Sequence, residues 1–344
     1  MTDQIRRDHH TVSKLYLQGF CEKRGLNRNI LLARHRDGHE EQLTIKEATV
    51  VRDFYDAGGR GQPDDALEKW FAETIESPVG EIMKRLRKGV MPSSSEERAK
   101  IAAYVATQLV RTVALRAKME GLDSHIGPII FANMALQHAI QADPAIKAQS
   151  DLKALYHHIA RCAPEAVRKT DTRSMLRTMV READRIMRLL LSMEWMLTSS
   201  STPLLVTGDA PVVTVSGTGE LDVSTPVVLP DLHEVHLPIT PSRLLTFTPF
   251  PQLTPVVTEL TAPQAILVNQ AIIRNCWDVV LRHPKMAWPT NLTLPPQRAS
   301  IRTPTVKIRA STEETQRSLR FPSVVDVGMK QALALLGGDP DLSA

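Results

Sequence analysis

The stretch TSSSTPLLVTGDAPVVTVS, residues 198–216, marks a change in the composition of the chain. Before it, Arg, Met, Ala and Leu recur at helical spacing, whereas after it short runs of Val, Leu and Thr are separated by Pro, Gly and Asp. Short β-branched runs between turn-forming residues are typical of strands. Helices that are segregated from strands along the chain favour an α+β fold over an alternating α/β fold.

On the C-terminal side of this stretch we predict several strands, one helix and an extension. The predicted strands are 204–207, 212–215, 223–229, 233–239 and 244–247, followed by a helix at 262–275 and a strand at 277–281. Residues 284–344 are rich in Pro and Thr, and we interpret them as a C-terminal extension with a short helix near 331–336.

On the N-terminal side the pattern predicts a β-hairpin and then mostly helices. The run Ile30–His35 is followed by Asp37-Gly38, a turn signal that supplies the positive dihedral angles of a hairpin. Apolar residues then recur at helical spacing from Leu67 to Leu86. Ser93 and Ser94, each with a glutamate three residues later, are capping-box candidates for a helix that runs to about Met119.

The predicted fold class is therefore α+β. The N-terminal two-thirds are mostly helical and are preceded by the hairpin, and an antiparallel or mixed sheet occupies the C-terminal third. We predict one domain over residues 1–283, with a helical lobe at 63–197 and a strand-rich lobe at 203–283 that includes the hairpin.

Composition excludes several classes of protein. The 344 residues carry 42 basic and 38 acidic side chains, a formal net charge of +4, and 42% of them are hydrophobic. These values exclude a disordered tail and a mini-protein. Three widely spaced cysteines predict a reduced, cytoplasmic protein. The longest uncharged stretches contain Gly, Pro, Asn or Gln and are too short for a membrane span, so we expect no membrane partner.

The net positive charge lies in one segment, residues 161–188, which holds 8 basic and 4 acidic residues. Its arginines are spaced four, four, four and three residues apart, so that a helix would place them in one stripe. This arginine stripe consists of Arg173, Arg177, Arg181, Arg185 and Arg188. Guanidinium rows suit phosphate oxygens, which makes the stripe a candidate for binding a phosphate-bearing ligand or nucleic acid. A solvated helix face, partly neutralised by Glu182 and Asp184, is the alternative.

Three residues are candidates for catalysis or metal binding because of their chemistry and position. His9 and His10 lead into an apolar segment, and imidazole is both a common metal ligand and a general base near neutral pH. Asp209 follows an apolar run and precedes Pro211, so a turn at a strand end would present its carboxylate. His10 and Asp209 are the candidate ligands for a divalent metal. The alternative is that one histidine caps a helix, the other is solvated, and Asp209 bonds its own turn.

Polar residues on apolar helix faces form a second group of candidates. Gln108 lies on the apolar seam of the helix predicted over 96–119, and Arg111 lies at its flank. Buried polar groups without partners cost about 1–3 kcal/mol, so both should bond something specific, whether a substrate or a loop backbone. If the next long helix continues to Leu197, Glu194 also lands on an apolar seam, where a carboxylate would be paired, metal-bound or shifted in pKa.

Several blocks, in order along the chain, resemble a known family. The blocks are DHHTVSKLYLQGF at 8–20, RDFY at 52–55, the acidic helix at 67–76, Gln108 to Thr112, Trp195, VTGDAP at 206–211, LPITP at 237–241 and Val268-Asn269. Together they resemble the bacterial domain-of-unknown-function 4238 family. Ser13 stands where we expect proline and Ala210 where we expect asparagine. The resemblance implies no activity, and from its last block we add Asn269 to the candidate substrate-binding residues.

Two functions from different classes remain. The first is a metal-dependent phosphoester hydrolase or nuclease, in which His9 or His10 converges with Glu194 and Asp209, Gln108 and Arg111 orient the substrate, and the arginine stripe attracts its phosphates. The second is a non-catalytic module that binds nucleic acid, a nucleotide or a protein, within a defence or toxin system. A scaffold without a ligand is a third interpretation, and the sequence leaves substrate, cofactor and oligomeric state open.

Overall fold

The computed structural model describes residues 7–24, 28–56, 65–117, 172–216, 233–249 and 259–289, with a few single residues between 119 and 159. The helices are α1 (Lys14–Leu17), α2 (Ala66–Trp70), a π-helical turn (Phe71–Glu76), α3 (Ser77–Arg87), α4 (Ser95–Val110), α5 (Thr172–Ser192) and α6 (Ala262–Asn275). The strands are β1 (Asp8–His10), β2 (Glu22–Arg24), β3 (Arg28–His35), β4 (Glu40–Thr44), β5 (Val50–Arg52), β6 (Glu194–Ser199), β7 (Thr207–Gly208), β8 (Val213–Ser216), β9 (His233–Thr240), β10 (Arg243–Thr248) and β11 (Val279–Arg282).

The largest sheet joins the two ends of the described chain. Strand β3 is antiparallel to β4 along one edge, and its other edge is shared by β2 at the start of the strand and by β11 at its end. β7 then pairs with β11. A second sheet has the antiparallel order β6-β10-β9-β8, and β1 pairs with β5 in a two-stranded ribbon.

The class α+β is correct, but the predicted segregation of helices and strands is wrong. Strands lie at both ends of the described chain, five within residues 8–52 and six within residues 194–282, so the sheets are not confined to the C-terminal third. Six α-helices lie in the described residues, and five strands precede all of them but α1. The sequence pattern indicated the presence of strands correctly. The pairing between β3 and β11, however, joins residues more than 240 positions apart, and local periodicity carries no information on such pairings.

Several local signals act as expected. Gly38 closes the hairpin with a positive φ of 88°, which glycine adopts at no steric cost. The side chain of Ser94 caps α4 by accepting a hydrogen bond from the Glu97 N–H at 3.2 Å. Thr261 and Gln264 form a capping box that begins α6 at the predicted residue. The strand predicted at 223–229 and the helix at 331–336 lie outside the described residues.

The apolar core lies between the helices and the sheets. The apolar seam of α5, which includes Leu176, Val180 and Met187, is buried against α4, whose residues 101–110 are all buried. Burial of this kind contributes about 25 cal/mol for each Å² of apolar surface removed from water. The guanidinium of Arg98 lies 4.6 Å from the ring centroid of Trp195 and closes one end of this core.

Gly19 marks the tightest contact between the N-terminal segment and the second sheet. A Cβ atom on Gly19 would lie 2.3 Å from the carbonyl oxygen of Ile239 in β9. Because both partners at this contact are backbone, neither can move aside as a side-chain end would. The glycine therefore holds α1 directly against β9.

We expect Gly19→Ala to lower the free energy of unfolding by about 2 kcal/mol, the cost of overpacking a close contact. Gly80→Ala is the matched control, since a Cβ there meets nothing within 4 Å and Gly80 lies inside α3. That control should raise stability by up to about 1 kcal/mol through helix propensity. Urea unfolding curves give the free energy of unfolding of both variants. Equal effects of the two alanines would show that Gly19 is not in close contact with Ile239.

Candidate functional site

The first residues of the candidate site lie on β1, whose pairing with β5 directs adjacent side chains to opposite faces. His9 is 1% exposed, and its Nδ1 accepts a hydrogen bond from the backbone N–H of Tyr55 at 2.8 Å. Its ring stacks on Tyr55 with centroids 5.5 Å apart. Because Nδ1 is an acceptor, the proton of the neutral His9 ring lies on Nε2.

His10, on the other face of β1, is half-buried. Its Nε2 lies 3.2 Å from the carbonyl oxygen of Lys46, so Nε2 is the donor and Nδ1 is unprotonated. Burial, and secondarily the charge of Lys14, lower the pKa of His10 to about 4. His10 is therefore neutral at pH 7, and Nδ1 is the nitrogen that can accept a proton.

Two glutamates enter the site from the helix that contains the π-helical turn. Glu68 lies on α2 and Glu76 ends the π-helical turn. In a continuous α-helix eight residues make about 2.2 turns, which would separate their directions by about 80°. The wider π-helical turn reduces the rotation of each residue; Glu76 pairs with Arg111, and the charge of Arg111 also acts on Glu68. Such π segments are frequent at functional sites.

Arg111, just after α4, is the cation at the centre of this group. It is 1% exposed, and its guanidinium pairs with Glu76 Oε1 at 2.7 Å. With the Gln108 amide oriented so that Oε1 faces Arg111, this oxygen also accepts from Arg111 Nε at 2.6 Å. Burial acts to lower the pKa of Arg111, but Glu76 and the nearby oxygens of Tyr55 and Tyr104 outweigh it and raise the pKa. The predicted burial of Gln108 and Arg111 is confirmed, and the partner of Arg111 is a carboxylate.

Glu68 is the glutamate of this group whose pKa is raised. Burial raises the pKa of Glu68, and the charge of Glu76 adds to the shift. Arg111, His9 and the backbone N–H of His10 oppose it without cancelling it. A carboxyl group with a raised pKa in a partly exposed site is a candidate general acid.

We call this group the Arg111 centre. It consists of His9, His10, Glu68, Glu76, Gln108 and Arg111. Arg111 pairs with Glu76, His10 is neutral at pH 7, and burial raises the pKa of Glu68 above its ordinary value. Its buried side is formed by His9, Gln108 and Arg111, and its partly exposed side by His10, Glu68 and Glu76.

Glu194 does not lie where the sequence placed it. Helix α5 ends at Ser192, and Glu194 is the exposed first residue of β6, opposite Thr248 in β10. The helical extension to Leu197 was wrong because the run from Glu194 to Ser199 pairs along its whole length with β10. Glu194 is therefore an exposed carboxylate at the start of a strand.

Asp209 is buried, and its carboxylate binds backbone amides. Oδ1 accepts from the Trp277 N–H at 2.8 Å, and Oδ2 accepts from the N–H groups of Asp278 and Val279 at 2.7 and 3.2 Å. Burial nevertheless raises its pKa to about 6, against the effect of these three amides. The carboxylate joins the loop after β7 to the start of β11, and no described contact links it to His9, His10 or Glu194.

Asp209→Asn should lower the free energy of unfolding by about 1–3 kcal/mol, because the amide NH₂ would face at least one backbone N–H that has lost its acceptor. Glu259→Gln, at an exposed position, is the control and should change stability by less than about 0.5 kcal/mol. Thermal unfolding followed by circular dichroism measures both. A fully stable Asp209→Asn protein would contradict the structural role of the carboxylate.

The side chain of Asn269 also forms hydrogen bonds with backbone groups. Its Oδ1 accepts from the Val206 N–H at 3.0 Å and its Nδ2 donates to the Leu204 carbonyl at 2.7 Å. These two bonds fasten the extended segment before β7 to α6. The structure therefore gives the Asn269 amide a backbone partner on each side, away from the Arg111 centre.

The arginine stripe lies on α5, as predicted, with part of its charge neutralised within the helix. Arg185 pairs with Glu182 at 3.0 Å and Arg188 pairs with Asp184 at 2.9 Å. Arg173 and Arg181 are exposed and Arg177 is half-buried. The surface that α5 presents is less cationic than the sequence count suggested.

The candidate metal ligands His10 and Asp209 bind separate partners, Lys46 and the amides of 277–279. Within the described ranges, no group of three or more His, Cys, Asp or Glu side chains could hold a metal ion. The pair proposed from the sequence does not fit a metal site. No helix in the described part of the chain is long and apolar enough to span a membrane.

The fold and the site define an α+β protein with a buried arginine–carboxylate centre beside its first strand. The chain matches the family "Protein of unknown function (DUF4238)" over residues 8–286 and belongs to it. No curated protein and no solved structure matches the chain.

Sequence reasoning missed Glu68, Glu76 and Tyr55 as site residues. Both glutamates lie in the acidic helix at 67–76, but their α-helical spacing gave no reason to place them on one face. Tyr55 contributes a backbone N–H, which no side-chain pattern reveals. A buried arginine was the available signal, because it requires a carboxylate partner somewhere in the chain.

Proposed function

We propose that this chain is a hydrolase of phosphoester bonds and that its catalytic group is the Arg111 centre. The observation that carries the proposal is the convergence of a carboxyl group of raised pKa, a neutral imidazole and a buried guanidinium at one partly exposed place. Titratable groups whose environments move their pKa values in opposite directions mark acid and base roles. The buried guanidinium of Arg111 suits the oxygens of an anionic phosphate.

The proposed mechanism uses His10 as base and Glu68 as acid. Nδ1 of His10 takes a proton from water, and the water oxygen forms a bond to phosphorus. The bond from phosphorus to the leaving oxygen breaks, and that oxygen receives the proton of the Glu68 carboxyl group. Glu68 is then reprotonated from the His10 imidazolium through solvent, which restores both groups.

His9, Gln108 and Arg111 act on the buried side of the centre. The Tyr55 N–H fixes the tautomer of His9, so that Nε2–H is the donor towards the centre. Gln108 and Glu76 hold the Arg111 guanidinium in one orientation. A fixed cation beside the reacting phosphoryl group stabilises the charge that develops in the transition state.

The experiment is a hydrolysis assay on the full chain with bis(4-nitrophenyl) phosphate, 4-nitrophenyl phosphate and a labelled oligonucleotide. We expect release of product from at least one of them, and activity that persists in EDTA, because protein groups supply acid, base and cation. Absence of turnover from a folded protein would contradict the proposal. Activity that EDTA abolishes would contradict the roles assigned to Glu68 and His10.

The second candidate is non-catalytic binding of nucleic acid by the arginine stripe. It is supported by the exposed positions of Arg173 and Arg181 on one helix. Arg181→Ala should then weaken oligonucleotide binding and flatten its salt dependence, whereas hydrolysis of the small esters should not change. Binding without turnover in the wild-type protein would favour this candidate over the hydrolase.

A further inference from the structure

Arg87, the last residue of α3, is a half-buried cation without a carboxylate partner among the described residues. Its Nη2 donates to the carbonyl oxygen of Leu15, and its Nε is buried without a hydrogen-bond partner. Burial lowers the pKa of Arg87, and the groups that oppose this are Tyr104, Cys21 and Tyr16. Among the described residues no carboxylate takes part. Buried charges are ordinarily paired, so this one calls for an anion.

Two buried hydroxyl groups adjoin Arg87, that of Tyr104 directly and that of Ser13 through Tyr104. Tyr104 in α4 and Ser13 before α1 are both 0% exposed, and neither hydroxyl has a partner of normal hydrogen-bond geometry. The two lie close enough that Ser13 lowers the pKa of Tyr104. If they bonded each other, one of their two O–H protons would still lack an acceptor.

The same group adjoins the Arg111 centre. Tyr104 lies one helical turn before Gln108 on α4, and the charges of Glu76 and Arg111 both act on its hydroxyl. Ser13 lies three residues after His10. A ligand that accepts hydrogen bonds from Arg87 and Tyr104 would therefore lie beside the groups assigned to acid–base chemistry.

We propose that Arg87, Tyr104 and Ser13 form a binding site for a phosphoryl group. The guanidinium supplies only donors, and each hydroxyl can donate its O–H proton, so the three groups suit the acceptor oxygens of a phosphate. The assignment to the substrate's own phosphate rests on the proposed function, whereas the preference for an anionic ligand follows from the cation Arg87, which no described carboxylate pairs with.

The test is calorimetric titration of the full chain with inorganic phosphate at constant ionic strength in chloride, and in parallel with a nucleoside 5′-monophosphate. We expect saturable binding of phosphate. Tyr104→Phe and Ser13→Ala should each raise the Kd for phosphate about tenfold, the effect of one hydrogen bond to a charged group. Arg87→Gln should abolish binding. Lys84→Gln, which removes an exposed cation one turn earlier on α3, is the matched control and should leave the Kd unchanged.

Thermal unfolding distinguishes a ligand site from a structural one. Without phosphate, Tyr104→Phe should be at least as stable as wild type, because it removes a buried hydroxyl that lacks a partner. With phosphate, the wild-type Tm should rise and the variant should lose most of that rise. A variant that is destabilised without phosphate and binds phosphate as wild type does would overturn the proposal, as would a wild-type protein that binds no phosphate.

The outcome is independent of catalysis. Glu68→Gln should retain phosphate binding even though it removes the proposed acid. Phosphate binding without hydrolysis would support this site and refute the proposed function, and hydrolysis without phosphate binding would do the reverse. Tighter binding of the monophosphate than of inorganic phosphate would assign the site to the substrate, and equal affinities would assign it to free phosphate.

Discussion

Glu68→Gln should lower kcat for phosphoester hydrolysis by about 10²–10⁴-fold, the contribution of a positioned general acid. Glutamine keeps the size and the acceptor oxygen of the side chain but has no proton to give to the leaving oxygen. The Michaelis constant should change much less, since Arg111 and its partners Glu76 and Gln108 are unchanged in the variant. Steady-state kinetics with 4-nitrophenyl esters and with esters of poorer leaving groups provides the measurement.

The pH profile gives this prediction a second readout. The pKa of Glu68 is raised above its ordinary value, and a general acid is active when protonated. Wild-type kcat should therefore fall as pH rises through the raised pKa, and this limb should be missing in Glu68→Gln. Glu73→Gln, an exposed position within the π-helical turn, is the matched control and should keep both rate and profile. A Glu68→Gln enzyme with the wild-type rate would refute the role of this carboxyl group.

Glu76→Gln should lower the free energy of unfolding by about 3–5 kcal/mol, which is the cost of breaking a buried ion pair by removing one partner. Arg111 is 1% exposed and pairs with Glu76 at 2.7 Å, so the change leaves a guanidinium that solvent cannot reach. The other side chain known to bond it, Gln108, carries no charge. Chemical denaturation monitored by tryptophan fluorescence gives the value.

The control for Glu76 again comes from the same turn of helix. Glu73→Gln removes an exposed carboxylate and should change stability by less than about 0.5 kcal/mol. Arg111→Met combined with Glu76→Gln should recover part of the loss, since replacing a whole buried pair by uncharged groups costs less than breaking it. Equal stabilities of Glu76→Gln and Glu73→Gln would contradict the prediction, because they would show that another group compensates the charge of Arg111.

Local signals predicted the local structure well. The Asp37-Gly38 turn, the Ser94 cap and the limits of α6 all follow from residues within a few positions of the feature. The burial of Gln108 and Arg111 also followed, because a polar residue on an apolar helix seam has few other places to go.

Features that depend on distant segments could not be predicted in this way. The pairing of Arg111 with Glu76 could not be predicted, because Glu76 lies at the end of a π-helical turn that the sequence pattern did not indicate. Asp209 was correctly placed at a strand end, but its three amide donors come from residues 277–279, about seventy positions later. The predicted helical position of Glu194 was wrong because the apolar pattern continues beyond Ser192, whereas the helix ends there and the next residues pair with β10.

The large sheet has a consequence for the order in which the protein assembles during synthesis. All six residues of the Arg111 centre lie between positions 9 and 111, so they leave the ribosome early. The end of β3, by contrast, keeps one edge unpaired until Val279–Arg282 has been made. Contacts of such high sequence separation slow folding and leave strand edges exposed meanwhile. The nascent chain therefore holds the residues of the Arg111 centre for most of translation while this edge of β3 is still unpaired.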